Sequence, residues 1–440
     1  MISAIRGVRS ANRAPFISRA HWLGYAVLVT ALLVFYLTLW SMRQTLGIGV
    51  DYADFRAASI VLAHGGNPFD MAQLWRQENT LYNVPLHLHP SDAGYYQVDE
   101  YRNPTLFAVL LTPLARLPFM QGFFIYSVGV ILLTIAGVWL TLGALGWTRW
   151  RVPAAGIALV SPCAFLSVWY GQQSTLLLFA FGAALYALRR DRPGLAGMLL
   201  ALGWVKPHLL IPIAVIAPLM LSWRACLRWY GGFCAATALG AVLTIVVTGP
   251  SSIVLWLRAL AGYTGYTSVA DVAKVDQIHN YLPSISGTAL VLMSHPWNKL
   301  VAVAVMLLGV GLLVCGALYI RRHVVAPETG LCVLMALWLL FTPYVHTNDD
   351  LLVFPALAVA WGRDGVHGGR LLPLLALWTL STLSLAFLLP QPEKVVGLLP
   401  LILVLFAAWH EVGSRKTARM DRGGFTQRFP NVVQKNISVP

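Results

Sequence analysis

Long apolar runs and short polar breaks alternate along the whole chain. Apolar stretches of 16 to 23 residues recur between Trp22 and Trp409, and each is near the length that an α-helix needs to cross the hydrocarbon core of a bilayer. Glycine, proline and charged residues interrupt these stretches, as expected of connections. The pattern predicts an all-α polytopic membrane protein with about 12 transmembrane helices. Short interfacial helices are expected in its outer loops.

The distribution of charge predicts how the chain is divided. Residues 1–21 carry arginines and no acidic residue, and the tail 412–440 is also basic, so both are expected in the cytoplasm by the positive-inside rule. The membrane domain then covers 22–411. Large outer loops are predicted at about 43–103 and 249–297, since the first of them holds four basic residues against seven acidic ones.

One stretch does not fit a simple series of crossings. The segments Pro104–Pro118 and Gln121–Leu145 each look helical, but the charges on either side require only one net crossing between them. We therefore expect one of the two helices to be re-entrant or half-spanning. Such a helix is tolerated where protein covers its ends.

Composition excludes several classes of protein. Hydrophobic residues make up 58% of the 440 residues and charged residues 11%, which is too little charge for the surface of a soluble protein of this size. The net charge of +14 lies in short segments between apolar runs, so nucleic acid is not an expected partner. Motifs for nucleotides and catalytic metals are absent from the sequence. No cofactor or metal is expected, and an activated substrate should arrive through the lipid bilayer.

The most informative polar stretch follows the first apolar segment. It reads Asp51-Tyr52-Ala53-Asp54-Phe55, and a spacing of three places both carboxylates on one face of a helix. We interpret Asp54 as a catalytic general base for a hydroxyl group. The alternative is an ordinary solvated helix end. A short surface helix is predicted at Ala57–Ala63, ended by the glycine pair that follows.

Three further breaks on the same predicted side carry candidate binding residues. Lys206 precedes a proline and suits a phosphate, although it could instead extend to the membrane interface. His346 could donate a hydrogen bond to a phosphate or a sugar hydroxyl, whereas Asp349 and Asp350 could cap the next helix. The side chains predicted to bind substrate are Asp51, Arg102, Gln172, Lys206, His208, Asn280 and His346.

Uncharged polar groups complete the predicted site. Gly171-Gln172-Gln173-Ser174 is a turn whose two amides could hold sugar hydroxyls, or whose serine could simply begin a helix. The segment from His279 to Ser284 contains Asn280 and is polar and aromatic enough to contact carbohydrate. It is equally compatible with an ordinary loop.

Taken in order, these motifs resemble the GT-C membrane glycosyltransferases, and most closely glycosyltransferase family 87, which uses polyprenol-phosphate mannose. The resemblance extends over about residues 50–350. It rests on the following motifs: Asp54-Phe55, Gly65-Gly66-Asn67-Pro68-Phe69, Tyr101-Arg102-Asn103-Pro104, Leu117-Pro118, Gly171-Gln172, Lys206-Pro207, and Thr342-Pro343 through His346. The chain reads Gln173-Ser174-Thr175 where the family usually has an asparagine.

The resemblance implies a GT-C-type fold and an inverting sugar transfer at the outer side of the cytoplasmic membrane. The donor would be a polyprenyl-monophosphate sugar, and the acceptor a hydroxyl of a glycolipid or polysaccharide. Asp54 would be the general base, and Lys206 and His346 would hold the carrier phosphate. Three other functions remain open: a transporter or flippase of lipid-linked sugars, a non-catalytic scaffold, and an oligosaccharide ligase with a diphosphate carrier. More than one Arg or Lys at the site would favour the ligase.

Overall fold

The computed structural model describes most of the central part of the chain. The described residues are 48–70, 101–147, 151–265, 284–286, 297–323, 325–343, 345–346, 348–362 and 401–410, with single or paired residues at 29–30, 33, 37, 73–74, 76–77, 378 and 398. Every regular element within these residues is helical, which confirms the predicted all-α class. The N-terminus 1–21, most of the first apolar segment and the tail 412–440 lie outside them.

The described elements follow the predicted alternation of helix and break. Their bounds are α1 Val50–Ala63, α2 Thr105–Ala115, α3 Phe119–Ala144, α4 Arg151–Val160, α5 Pro162–Tyr170, α6 Ser174–Arg189, α7 Pro193–Leu200, α8 Pro207–Ile216, α9 Trp223–Thr248, α10 Ser251–Gly265, α11 Trp297–Arg322, α12 Pro327–Phe341 and α13 Phe354–Trp361, followed by α14 Leu401–His410. Three 3₁₀ helices, Ala201–Val205, Ala217–Met220 and Asp349–Val353, adjoin α7, α8 and α13.

Three described helices, α3, α9 and α11, are long and apolar enough to cross a membrane. The predicted number of about 12 crossings therefore remains a prediction. The predicted pair of helices around residue 118 is present as α2 and α3. With 11 residues, α2 is about 16 Å long, roughly half the thickness of a bilayer core. Whether one of the pair is half-spanning or re-entrant stays a prediction.

Small residues let the central helices approach closely. An added Cβ on Gly182 of α6 would lie 2.4 Å from the carbonyl oxygen of Gly137 in α3, and one on Gly197 of α7 would lie 2.1 Å from that of Trp229 in α9. Glycine at such crossings allows backbones to pack without intervening side chains. The helices that carry the polar turns are thus held in a compact central group.

Helices α6 and α12 are antiparallel and are joined at both ends. Arg189, the last residue of α6, pairs with Glu328 at the start of α12. At the other end, Ser174 begins α6 and donates a hydrogen bond to Asp349, which follows α12 in the chain. The turns predicted to share one side of the membrane therefore do meet at one end of this helix pair.

One expectation about local structure needs correction. The predicted surface helix Ala57–Ala63 begins earlier, at Val50, and so includes both carboxylates. The predicted outer loop 249–297 contains a helix, as the outer loops are expected to, because α10 occupies Ser251–Gly265 within it. Apolar residues such as Ile253, Leu255 and Leu257 give this stretch helical character.

Candidate active site

Helix α1 holds the two predicted carboxylates on one face. Gly49 precedes it with a φ of +71°, a left-handed conformation that favours glycine. The Gly49 N–H donates to the carbonyl of Trp169 at 2.8 Å, which fixes the start of α1 against the end of α5. Asp51 is half-buried, and Asp54 is buried with only 5% of its surface exposed. A solvated helix end is therefore excluded for Asp54.

The turn after α5 lies directly against this carboxylate helix. Gly171 ends α5 with a φ of +80° and its N–H donates to the carbonyl of Ser167 at 3.1 Å. A Cβ at Gly171 would lie 2.7 Å from the Cβ of Tyr52. Only glycine allows both the backbone conformation and this approach. The chain then continues into Gln172, Gln173 and helix α6.

A buried ion pair lies on the other side of the same turn. The ammonium nitrogen of Lys206 is 2.8 Å from Oδ1 of Asp349, and their side chains are 12% and 0% exposed. Ser174 donates to the same carboxylate oxygen, Asn348 Nδ2 donates to Ser174 Oγ at 2.7 Å, and the His346 N–H donates to Asp349 Oδ2 at 3.0 Å. A buried carboxylate with this many donors is well compensated.

This pairing changes how two sequence assignments are interpreted. Lys206 lies between the 3₁₀ helix Ala201–Val205 and α8, as the proline break predicted. Its ammonium group does not extend to an interface but binds a carboxylate from a distant segment. Asp349 was expected to cap the following helix. Its carboxylate instead accepts from the Lys206 and Ser174 side chains, so it belongs to the site.

Electrostatics fix the charge states in the connection between α12 and α13. Burial raises the pKa of Asp349, but the Lys206 ammonium and the hydrogen bonds from Lys206 and Ser174 lower it more, so that the net pKa falls from 3.8 to about 2. Burial and the nearby Lys206 charge lower the pKa of His346 from 6.5 to about 4. At neutral pH Asp349 is therefore a carboxylate and His346 a neutral imidazole.

Arg102 and His208 lie near this cluster. Two histidines, His208 and His346, lie within range of the same three charges. These charges are those of Arg102, Lys206 and Asp349. Trp256 of α10 donates its indole N–H to the Arg102 carbonyl at 2.9 Å. The His208 carbonyl accepts from Trp338 Nε1 at 2.7 Å, which ties the start of α8 to α12. Two predicted cations, Lys206 and Arg102, are thus brought to one end of the helix group.

The turn itself carries several buried polar atoms. Among the residues that the structure describes, Gln172 Oε1, Gln173 Nε2 and Thr175 Oγ1 are buried and have no hydrogen-bond partner. Gln172 was predicted to bind substrate, and the amides of both Gln172 and Gln173 were candidates for holding sugar hydroxyls. Thr175 was not predicted.

Part of the polar loop predicted to contact carbohydrate reaches the same end. Ser286 Oγ donates to the Phe341 carbonyl at 3.1 Å, and Ser284 Oγ donates to the Pro343 carbonyl at 3.4 Å. These serines satisfy carbonyls at the end of α12 that the helix leaves unpaired. Asn280, predicted from the same loop, lies outside the described residues.

The site thus belongs to an all-helical membrane protein that gathers buried carboxylates, cations and amides at one end of its helices. A protein-family model described as Glycosyltransferase family 87 matches residues 101–343, more than half of the chain. The chain belongs to this family and is a glycosyltransferase. The match includes Arg102, Gln172, Lys206 and His208, and it excludes Asp54 and His346. No curated protein and no solved structure matches the chain.

Proposed function

We propose that this glycosyltransferase moves a sugar from a polyprenyl-monophosphate carrier to an acceptor hydroxyl, with inversion at the anomeric carbon. The reaction takes place at the outer side of the cytoplasmic membrane, where the predicted topology puts the polar turns. One observation carries the proposal. The turn Gly171–Thr175 packs on one side against the helix of Asp54 and bonds on the other to the buried Lys206–Asp349 pair.

Asp54 is the general base in this mechanism. As the acceptor oxygen attacks the anomeric carbon, its proton passes to the Asp54 carboxylate, and the bond from that carbon to the phosphate oxygen breaks. Polyprenyl phosphate leaves with the electron pair. A phosphate leaving group needs no strong general acid, so a single carboxylate suffices, unlike the carboxylate pair of glycoside hydrolases. Burial of Asp54 excludes the water that would compete with the acceptor.

The cations near the turn stabilise the departing phosphate. Charge on the phosphate increases as the bond to the sugar breaks, and positioned cations and N–H donors favour that state. Lys206 and Arg102 supply the positive charge. His346, neutral at pH 7 because its pKa lies at about 4, supplies a hydrogen bond rather than a charge. Asp349 holds the Lys206 ammonium at 2.8 Å and so positions it before the lipid arrives.

The donor reaches this site from the bilayer. The chain contains no nucleotide-binding motif, and its outer helical surfaces are apolar, with exposed residues such as Phe124, Leu243 and Leu307. A polyprenyl tail can enter between such helices while its phosphate remains at the polar end. The acceptor is a hydroxyl of a glycolipid or polysaccharide.

Asp54→Asn tests the proposal directly, with Glu328→Gln as the matched control. Both residues are buried to the same extent as whole residues, with 5% of each exposed, but Glu328 lies at the opposite end of α12 beside Arg189. Transfer of labelled sugar from a synthetic polyprenyl-phosphate hexose to an envelope glycolipid fraction is measured in proteoliposomes. Loss of a general base lowers the rate by about 10²–10⁴-fold, and Glu328→Gln should keep wild-type transfer. Full activity of Asp54→Asn would refute the assignment of the base.

A second candidate, transfer from a diphosphate carrier, is favoured by one observation. Lys206 and Arg102 both act on His346 electrostatically, and two cations suit a diphosphate. The same proteoliposomes supplied with a polyprenyl-diphosphate sugar distinguish the two donors. Transfer from the diphosphate lipid alone would replace the monophosphate proposal.

A further inference from the structure

The unsatisfied atoms of the segment Gly171–Thr175, named here the amide turn, form a concentrated group. Gln172, Gln173 and Thr175 are 8%, 2% and 1% exposed, and among the described residues none of the atoms Gln172 Oε1, Gln173 Nε2 and Thr175 Oγ1 has a partner. Buried polar groups are nearly always hydrogen-bonded, because leaving one unsatisfied is costly. Three within four residues therefore call for a ligand.

The position of the amide turn restricts where that ligand lies. Gly171 touches Tyr52 in the helix that carries Asp54, and Ser174 bonds to the Asp349 carboxylate that holds Lys206. Along the chain, Gln172 and Gln173 therefore lie between a residue that touches the helix of the proposed base and a residue that bonds to the carboxylate holding the proposed phosphate-binding cation. In a transfer from phosphate to acceptor, the group located between the base and the cation is the sugar.

The chemistry of the three atoms selects the same ligand. The two glutamine amides offer both acceptors and donors, and the Thr175 hydroxyl is both. A phosphate oxygen without a proton accepts only and a cation donates only, so neither of them alone satisfies the whole group. Hydroxyl groups donate and accept at once, and neighbouring hydroxyls of a sugar ring match all three atoms.

We propose that Gln172, Gln173 and Thr175 bind hydroxyl groups of the donor sugar and determine which sugar the enzyme accepts. This inference rests on the proposed function and deepens it. It also gives Gln173 and Thr175 roles as specificity-determining residues. A site built to hydrogen-bond a hydroxyl rejects a ligand that lacks it, because the buried partner is then left unpaired.

Two threonine variants provide a matched test. Thr175→Val and Thr141→Val each remove one buried hydroxyl without changing side-chain shape, and neither hydroxyl has a described partner. Thr141 lies near the far end of α3, packed against Gly182. Loss of an unsatisfied hydroxyl should leave both variants at least as stable as the wild type, so a binding defect would not reflect misfolding. Gln173→Leu and Gln172→Leu extend the series.

The measurement is equilibrium binding of two radiolabelled lipids, polyprenyl phosphate and polyprenyl-phosphate hexose, to purified protein without an acceptor. The wild type should bind the hexose lipid more tightly. Each turn variant should bind the hexose lipid about 3- to 10-fold more weakly than the wild type does. Its Kd for polyprenyl phosphate should stay unchanged. Thr141→Val should match the wild type for both lipids. A single-deoxy hexose lipid should bind Thr175→Val or one glutamine variant as well as the full sugar does.

Other outcomes separate this inference from the proposed function. Turn variants that bind the hexose lipid as tightly as the wild type does would overturn the inference but would not contradict the proposed sugar transfer. Turn variants that bind donor normally but show a raised KM for the acceptor would assign the turn to acceptor hydroxyls and overturn it as well. Equal loss for both lipids would show a role in the phosphate site instead. A wild type that binds neither lipid would overturn both proposals.

Discussion

A carboxylate–cation pair lies at each end of the α6–α12 helix pair, yet the two pairs differ in kind. At one end Arg189 is 52% exposed and its partner Glu328 7% exposed, with 3.1 Å between them. At the other end Lys206 and Asp349 are 12% and 0% exposed, with 2.8 Å between them. The first pair borders solvent, whereas the second lies among other buried polar groups.

This difference distinguishes a structural link from the proposed active site. A pair with one exposed partner gains little free energy, because water and salt screen the charges. A fully buried pair is costly to assemble and is retained only with good geometry and extra hydrogen bonds. Asp349 has those bonds, from Ser174 and from the His346 backbone. Among the described residues, the buried polar atoms without a hydrogen-bond partner near this pair include those of Gln172, Gln173 and Thr175.

The largest effect is expected from breaking the buried pair at one partner. Asp349→Asn leaves the Lys206 ammonium without its carboxylate, and removal of one partner of a buried pair costs about 3–5 kcal/mol. The free energy of unfolding is measured by denaturant titration in a mild detergent. Glu328→Gln is the control at the other end. A loss below 1 kcal/mol for Asp349→Asn would contradict the comparison.

Removing both partners of the buried pair sharpens the distinction between stability and function. Lys206→Met combined with Asp349→Leu leaves no unpaired charge, and apolar replacements of buried pairs are often neutral in stability. We expect most of the stability lost in Asp349→Asn to return while sugar transfer stays abolished. Transfer at the wild-type rate by this double variant would show that the Lys206 ammonium is not needed.

The contact between the amide turn and α1 should be sensitive to a single methyl group. Gly171→Ala and Gly65→Ala impose similar backbone strain, since their φ angles are +80° and +73°, at a cost of about 1–2 kcal/mol each. Only the Gly171 Cβ meets a neighbour, at 2.7 Å from Tyr52. We expect Gly171→Ala to be the less stable variant and the only one with a reduced kcat for transfer. Equal kcat values would contradict the proposed placement of Asp54.

A smaller effect is expected from pH. The pKa of His346 is lowered to about 4 in the folded state, from about 6.5 in the unfolded state. As the pH falls, this imidazole is therefore protonated in the unfolded chain at a higher pH than in the folded protein. The folded state should therefore lose stability between pH 6.5 and pH 4. His346→Asn should flatten this part of the profile of melting temperature against pH. Its control, the exposed His64→Asn, should keep the wild-type slope, and equal slopes for all three proteins would refute the shift.

The smallest effect is expected at the exposed end. Arg189→Gln removes a guanidinium that is half in solvent, and exposed pairs contribute about 0–1 kcal/mol. The free energy of unfolding should fall by less than about 1 kcal/mol, and the rate of sugar transfer should not change. A marked loss of transfer would mean that the two ends are coupled and that the contrast between them does not separate structure from function.

The sequence by itself determined the helices, the breaks between them and the residue types at those breaks. These features are local, because apolar length and helix-breaking residues act within one segment. The turn at Gly171, the break at Lys206 and the stop after Ala63 were therefore predictable. Family 87 membership was also predictable, since its motifs keep their order along the chain.

Only the tertiary structure decided which polar residues meet. Lys206 and Asp349 are 143 residues apart, and nothing in either segment shows that they pair. The local pattern around Asp349 fitted a helix cap equally well. Thr175 gains significance only because it is buried without a partner among the described residues. That burial depends on the close helix crossing at Gly182 and on the contact of Gly171 with Tyr52. Packing between distant segments, and not local propensity, assembled the site.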